Sequence, residues 1–170
     1  MDASGNFWIF GGNGADSTGT VGYLNDVWEF TSGNWIWQGG ADVVNTPASY
    51  GVQGVPDPGN NPGARVWFTN WITPSGDLWI LGGQQLGGRE ASDLWKFSGG
   101  QWTWMSGPDL SFQNGTYGTK GSSASNNTPG ARQLGASWVD ANGNLWLLGG
   151  YGLGSTAGID DLNDLWEFQP

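Results

Sequence analysis

"GNFWIFGG", residues 5–12, is a short apolar run ending in two glycines, and the chain writes it twice more. It returns as "GDLWILGG" at 76–83 and as "GNLWLLGG" at 143–150. Trp8 to Trp79 is 71 positions, and Trp79 to Trp146 is 67. A second phrase follows each copy: "LNDVWEF" at 24–30, "ASDLWKF" at 91–97 and "LNDLWEF" at 162–168. A third, "GNWIWQGG" at 33–40, reappears as "GQWTWMSG" at 100–107. A fourth, "NPGARVWFTNWIT" at 61–73, is matched by "TPGARQLGASWVD" at 128–140. A period of 67–71 residues with four strand-length segments is a repeat architecture.

Composition supports strands over helices. The 32 glycines each disfavour a helix by about 1 kcal/mol relative to alanine. The apolar runs are short, lack helical spacing and are bounded by Gly, Asn, Asp, Ser and Pro. Five basic residues and a formal charge of −10 argue against nucleic acid and against an anionic membrane surface. No cysteine means no disulfide and no thiolate chemistry; no histidine removes the usual general base and metal ligand. No apolar run reaches the length of a membrane span, and "MDASGN" does not read as a signal peptide.

We label the segments A (Ala-Arg), B (Gly-Gly), C (Asp-x-Trp) and D (Trp-x-Trp). In chain order they read BCD, ABCD, ABC. The units are 1–40, lacking A; 41–107, a long connection plus a complete set; and 108–170, a long connection plus a set lacking D. Trp35 and Trp37, like Trp102 and Trp104, sit two residues apart and share a strand face. Four consecutive strands per unit, with bulky side chains for both faces, is the arithmetic of a propeller blade.

Here the chain resembles the Kelch repeat of galactose-oxidase-like β-propellers: a strand ending in Gly-Gly, a polar loop, then a strand with an internal Trp. The long units, with "YG" and "PGAR" in the D–A connection, resemble a bacterial variant. The resemblance implies an all-β fold of four-stranded antiparallel blades in an incomplete ring, and a secreted, extracellular placement. It does not imply the copper-radical oxidase, which needs cysteine and histidine. In such a blade the A–B and C–D turns lie on one face and the B–C and D–A connections on the other. All the length falls on the second face: 41–63 and 108–130 in the D–A connections, and 10 to 14 positions between Gly-Gly and the strand C aspartate. A binding site is expected there.

The tryptophans Trp8, Trp79, Trp146, Trp28, Trp95 and Trp166 read as packing between units, with sugar stacking as the alternative. Trp67 is placed in strand A. Tyr50 and Tyr117 fall at equivalent places in the D–A loops, as loop anchors or ligand contacts, and Tyr151 is a further binding candidate. Arg65 with Asp93 and Arg132 with Asp164 are expected to pair within a unit; a ring of charges facing a substrate is the alternative. Asp26 holds the corresponding place in the first unit. Asp16, Asp160 and Asp161 lack the spacing of a calcium loop, and the glycine clusters lack the lysine and helix of a phosphate cradle. The triplets at Asn114 and Asn126 fit glycosylation spacing. Of Glu29, Glu90 and Glu167, only Glu90 lies in a loop. Retaining glycosidase chemistry would need a second carboxylate about 5 Å away.

The reading is a non-catalytic scaffold without cofactor or metal, contacting protein or extracellular glycan through its long loops. The alternatives are a propeller lectin and part of a carbohydrate-active enzyme. The partial units predict self-association or a longer chain continuing the pattern.

Overall fold

The computed structural model describes all of residues 1–170. There is no helix. The strands are β1 (Phe7–Ala15), β2 (Val21–Thr31), β3 (Asn34–Gly39), β4 (Arg65–Val66), β5 (Thr69–Ile72), β6 (Leu78–Gln85), β7 (Arg89–Ser98), β8 (Gln101–Ser106), β9 (Arg132–Gln133), β10 (Ala136–Val139), β11 (Leu145–Leu153) and β12 (Ile159–Phe168). They form three antiparallel sheets, none closed into a barrel. The first is β1-β2-β3. The second runs β6-β7-β8 with β4 and β5 both on β6. The third is β11-β12 with β9 and β10 both on β11.

Alternation of side chains explains why the sheets stack. From the second sheet, Leu78, Ile80, Trp95 and Phe97 face the first and pack on Phe10 and Val27. The intervening Trp79, Leu81 and Leu94 face the third and pack on Leu145 and Leu147. The middle sheet is therefore buried on both faces, while each outer sheet is buried on one. Tryptophan does not behave uniformly as a result. Trp95 and Trp79 are buried, whereas Trp35, Trp37 and Trp138 are about half exposed because nothing covers the outer sheets.

The Gly-Gly phrase marks a bulge. The register slips between Phe10 and Gly12, Leu81 and Gly83, and Leu148 and Gly150. Gly82 has a φ of +64°, and a Cβ there would stand 2.6 Å from the carbonyl oxygen of Arg132 in the next sheet. Gly11 meets the Arg65 carbonyl in the same way, at 3.1 Å. Only glycine lets the Ala-Arg backbone lie this close over the preceding sheet.

Three expectations are corrected. The B–C connections are not long loops, because the ladder resumes after the bulge; only 16–20, 86–88 and 154–158 separate the strands. Strand A is not continuous. Trp67, at φ 58°, and Leu134, at φ 60°, break it into two short strands on one partner, so Trp67 lies between strands and is half exposed. The connection 41–64 does not stay on one face. Gly54 donates to the Trp104 carbonyl and Asp57 to that of Trp102, so it runs along the outer edge of β8. That covers an edge otherwise open to pairing.

Candidate functional site

Polar side chains repeat as faithfully as the apolar ones. In the turn before β1, Asp2 accepts the backbone N–H of Ser4 and Asn6 and the Trp8 indole N–H at 3.0 Å. Asp140 does the same for Asn142, Asn144 and Trp146. The indole bond leads the hydrogen bonds that hold both carboxyls below the ordinary carboxylate value. The second sheet has Thr73 at this place; its hydroxyl accepts from Asp77 N–H, and the buried Trp79 N–H has no partner.

At the other end of the sheets, Arg65 and Asp93 meet in full burial. Nη1 lies 2.7 Å from Oδ1 and Nη2 2.9 Å from Oδ2, and Nη1 also donates to the Gly82 carbonyl at 2.9 Å. Nη2 also reaches the Pro62 carbonyl. The Asp93 carboxylate accepts the Trp95 indole at 2.7 Å and the Tyr50 hydroxyl at 2.8 Å. Burial alone would raise the Asp93 pKa. The Arg65 charge and these donors outweigh it and hold it low. Burial, then Asp93, pushes the Tyr50 phenol up.

The third sheet repeats the cluster. Arg132 donates to Asp164 at 2.6 and 2.8 Å and to the Gly149 carbonyl at 3.0 Å. Asp164 also accepts from Trp166 and Tyr117. Against burial, which raises it, the Arg132 fork, Tyr117 and Trp166 bring Asp164 down to about 2. Tyr50 and Tyr117 thus direct their hydroxyls inward and tie the long connections to the sheets. Each ring packs on the partner indole, at 5.0 Å from Trp95 and 4.9 Å from Trp166.

A different surface lies at the bulge in strand A. Trp67 and Leu134 are adjacent across the second and third sheets, Leu134 N–H donating to the Trp67 carbonyl at 2.8 Å. Both are more than half exposed, and both hold left-handed backbone that bulky residues rarely adopt. Tyr151, exposed, pairs with Gln133 one residue away. By register it takes the place of Gln84, which accepts from Tyr23 of the first sheet at 3.1 Å. Glu90, expected in a loop, instead lies buried in β7, where it pairs with Gln84 and takes the place of Tyr23. No hydrogen bond joins Glu90 to Tyr151; Glu90 Oε2 is buried without a partner, and burial raises its pKa. Sequence reading singled out Tyr151 and Glu90 but missed the Trp67–Leu134 rim. Nothing in "GARVWF" or "GARQLG" signals positive φ, and only their equivalent positions, each two residues after the arginine, could have pointed there.

Asp16 is engaged by backbone, accepting from Thr18, Thr20 and Val44 N–H and from the Thr18 hydroxyl. Asp160 and Asp161 lie at the β12 end of the third hairpin. On the tight-turn face an open groove is lined by Asp2, Ser4, Trp8, Ser75, Asp77 and Ser98.

No family model matches the chain, and no curated protein matches it. Among solved structures, the one described as "Structure of YjhT" is similar at 12% identity with a TM-score of 0.46. The likeness covers 89% of this chain and 58% of that one, so this chain spans less than two thirds of its length.

Proposed function

We propose that the chain is a non-catalytic Kelch-type β-propeller module, its three sheets being blades, that acts as a binding scaffold. One observation carries this reading: the buried ion pairs with their tyrosines and tryptophans serve to fasten connections to sheets. Asp93 and Asp164 have every oxygen engaged by arginine, tyrosine or indole donors. Carboxylates held low by such donors are poor proton-transfer groups near neutral pH. What remains for a partner is the exposed rim of Trp67, Leu134 and Tyr151 beside hairpin tips. Protein or extracellular glycan is the class of partner, and a secreted bacterial setting follows from the Kelch resemblance.

A lectin is the second reading, favoured by strained, exposed Trp67 on the same rim as the exposed Tyr151. A glycan array read with the wild type and with Trp67→Ala, folding checked by near-ultraviolet circular dichroism, separates the two. The scaffold reading with a protein partner expects Trp67→Ala to alter protein contacts and no glycan signal. A glycan signal lost in that variant selects the lectin, and chemical turnover of any arrayed glycan overturns both.

A further inference from the structure

Around its strand B tryptophan, the second sheet departs from its neighbours by two residues at once. In the turns before β1 and β11, Asp2 and Asp140 accept the indole N–H of Trp8 and Trp146. Directly across the ladder from those tryptophans stand Glu29 and Glu167. Trp79 holds the same place in the second sheet, but Thr73 replaces the aspartate and Lys96 the glutamate. The Thr73 oxygen accepts the Asp77 N–H at 3.2 Å, as Asp140 Oδ1 accepts that of Asn144 at 2.9 Å. Nothing stands in for Oδ2, so the Trp79 N–H is buried without a partner.

Lys96 adds a charge to the vacant acceptor place. Its ammonium lies 5.7 Å over the Trp79 ring, and both ion pairs of the chain lie elsewhere. A groove of about 420 Å³ opens between the turn 73–77, Lys96 and the Asn142 turn of the third sheet. Asp77 lines it too, where the other turns have asparagine, and its carboxylate accepts the Ser75 hydroxyl at 3.0 Å. Thr73 and Lys96 belong to the complete middle unit, so their exchange for acidic residues owes nothing to either end of the sequence. Pro170 also lines the groove. The corresponding groove between the first and second sheets has the turn Phe97–Gly100 in that place and is equally open, at about 430 Å³.

We propose that this groove binds a ligand through a single carboxylate, which takes the place that the Asp2 and Asp140 carboxylates fill in the other two sheets. The ligand carboxylate pairs with the Lys96 ammonium and accepts the Trp79 N–H. Because that N–H is shielded in the free chain, binding turns the Thr73 side chain aside and breaks its 2.8 Å contact with the Ser75 hydroxyl. Asp77 sets the charge that is tolerated: one negative charge is offset by Lys96, whereas a multiply charged anion meets repulsion. The carboxylate belongs either to a free organic acid or to an acidic side chain of a peptide. This inference goes beyond the scaffold reading and holds whether or not the Trp67 rim binds anything.

The probes are sodium acetate and the α-amide of N-acetylglutamate, titrated separately into the isotope-labelled whole chain at constant ionic strength. The Trp79 indole N–H is followed by nuclear magnetic resonance. A saturable downfield shift is expected with at least one probe. Binding of the amide about tenfold tighter than acetate identifies an acidic side chain as the source, and comparable or tighter binding of acetate identifies a free organic acid. Lys96→Glu restores the residue of the other two sheets and should weaken binding about tenfold or more. Thr73→Asp with Asp77→Asn fills the place from within; it should weaken binding as much and set the unliganded resonance near its ligand-bound position. Both variants restore residues that the neighbouring sheets carry and should fold, which melting curves verify. No saturable shift with either probe overturns the proposal, since water alone would then fill the place. A shift that persists in either folded variant, or inorganic phosphate binding more tightly than acetate, overturns it as well.

Discussion

Trp79 shows how one substitution within a repeat is felt at the atom. Trp8 and Trp146 donate their indole N–H to Asp2 and Asp140, but Thr73 leaves the Trp79 N–H buried without a partner. Thr73→Asp alone would set a carboxylate beside Asp77, where the other turns have Asn6 and Asn144. The pair Thr73→Asp with Asp77→Asn rebuilds the motif and should raise stability by about 1 kcal/mol in denaturant titration; the single change should gain less. Glu90 is the opposite case, a carboxyl kept from water with one oxygen unpartnered. The unfolded chain gives up that proton near the ordinary value of 4.5, and the folded chain only at higher pH because burial raises its pKa. Stability is therefore lost as pH climbs through that interval and stays lower above it. Glu90→Gln should raise the melting temperature at pH 7, and the gain should vanish near pH 4. The Arg65–Asp93 and Arg132–Asp164 pairs were legible in the sequence, because residues of opposite charge recur at equivalent places of the repeat; the aspartates, expected at the start of strand C, lie in the middle of β7 and β12. The bulge at Trp67 was not, since positive φ there is imposed by the two-part pairing to β6.

At the scale of elements, phrase and period marked every strand, but not where it stopped. The sequence pattern suggested a loop after each Gly-Gly because polar residues and glycine follow it. The ladder nonetheless continues, since backbone hydrogen bonds resume once the bulge has absorbed the extra residue. The long connection 41–64 read as a free surface loop, because its bonds to β8 use backbone groups, Gln53 and Asn60 and leave no apolar pattern. What holds such connections in place is the ion cluster, and its two copies differ in burial. Arg65→Ala strands a fully buried Asp93 and should cost about 3–5 kcal/mol. Arg132→Ala should cost less, because Asp164 retains 13% of its side-chain exposure. Both aspartates have folded pKa values below the unfolded ones, so their stabilisation is complete above the ordinary 3.8. It is lost as pH falls from there, toward about 2 for Asp164. Acid titration of the wild type should show stability falling below about pH 4, and Asp164→Asn should flatten part of that fall.

Over the whole molecule, stability should be graded from the middle sheet outward, and the grading follows from which surfaces are covered. The second sheet is packed by Phe10 and Val27 on one face and by Leu145 and Leu147 on the other, and its outer strand β8 is edged by the connection 41–64. The first sheet has one covered face, and the outer edge of β3 carries no such connection; Trp35, Ile36 and Trp37 are about half exposed. The third sheet ends at β12, where Leu165 is 55% exposed. Its own connection makes the Thr116–Thr128 bridge, but its segment 119–126 stays exposed. Opening an outer sheet exposes one apolar interface, whereas opening β6 or β7 exposes two, so amides in the middle sheet exchange only through the larger event. Native-state hydrogen exchange with mass spectrometry should therefore find β6 and β7 slowest, with rates close to those set by global unfolding. β3 and β12 should exchange faster than the paired central strands by at least an order of magnitude. Equal protection across all three sheets would mean that the outer faces are covered in solution, and dilution should then restore the gradient if the cover is a second copy.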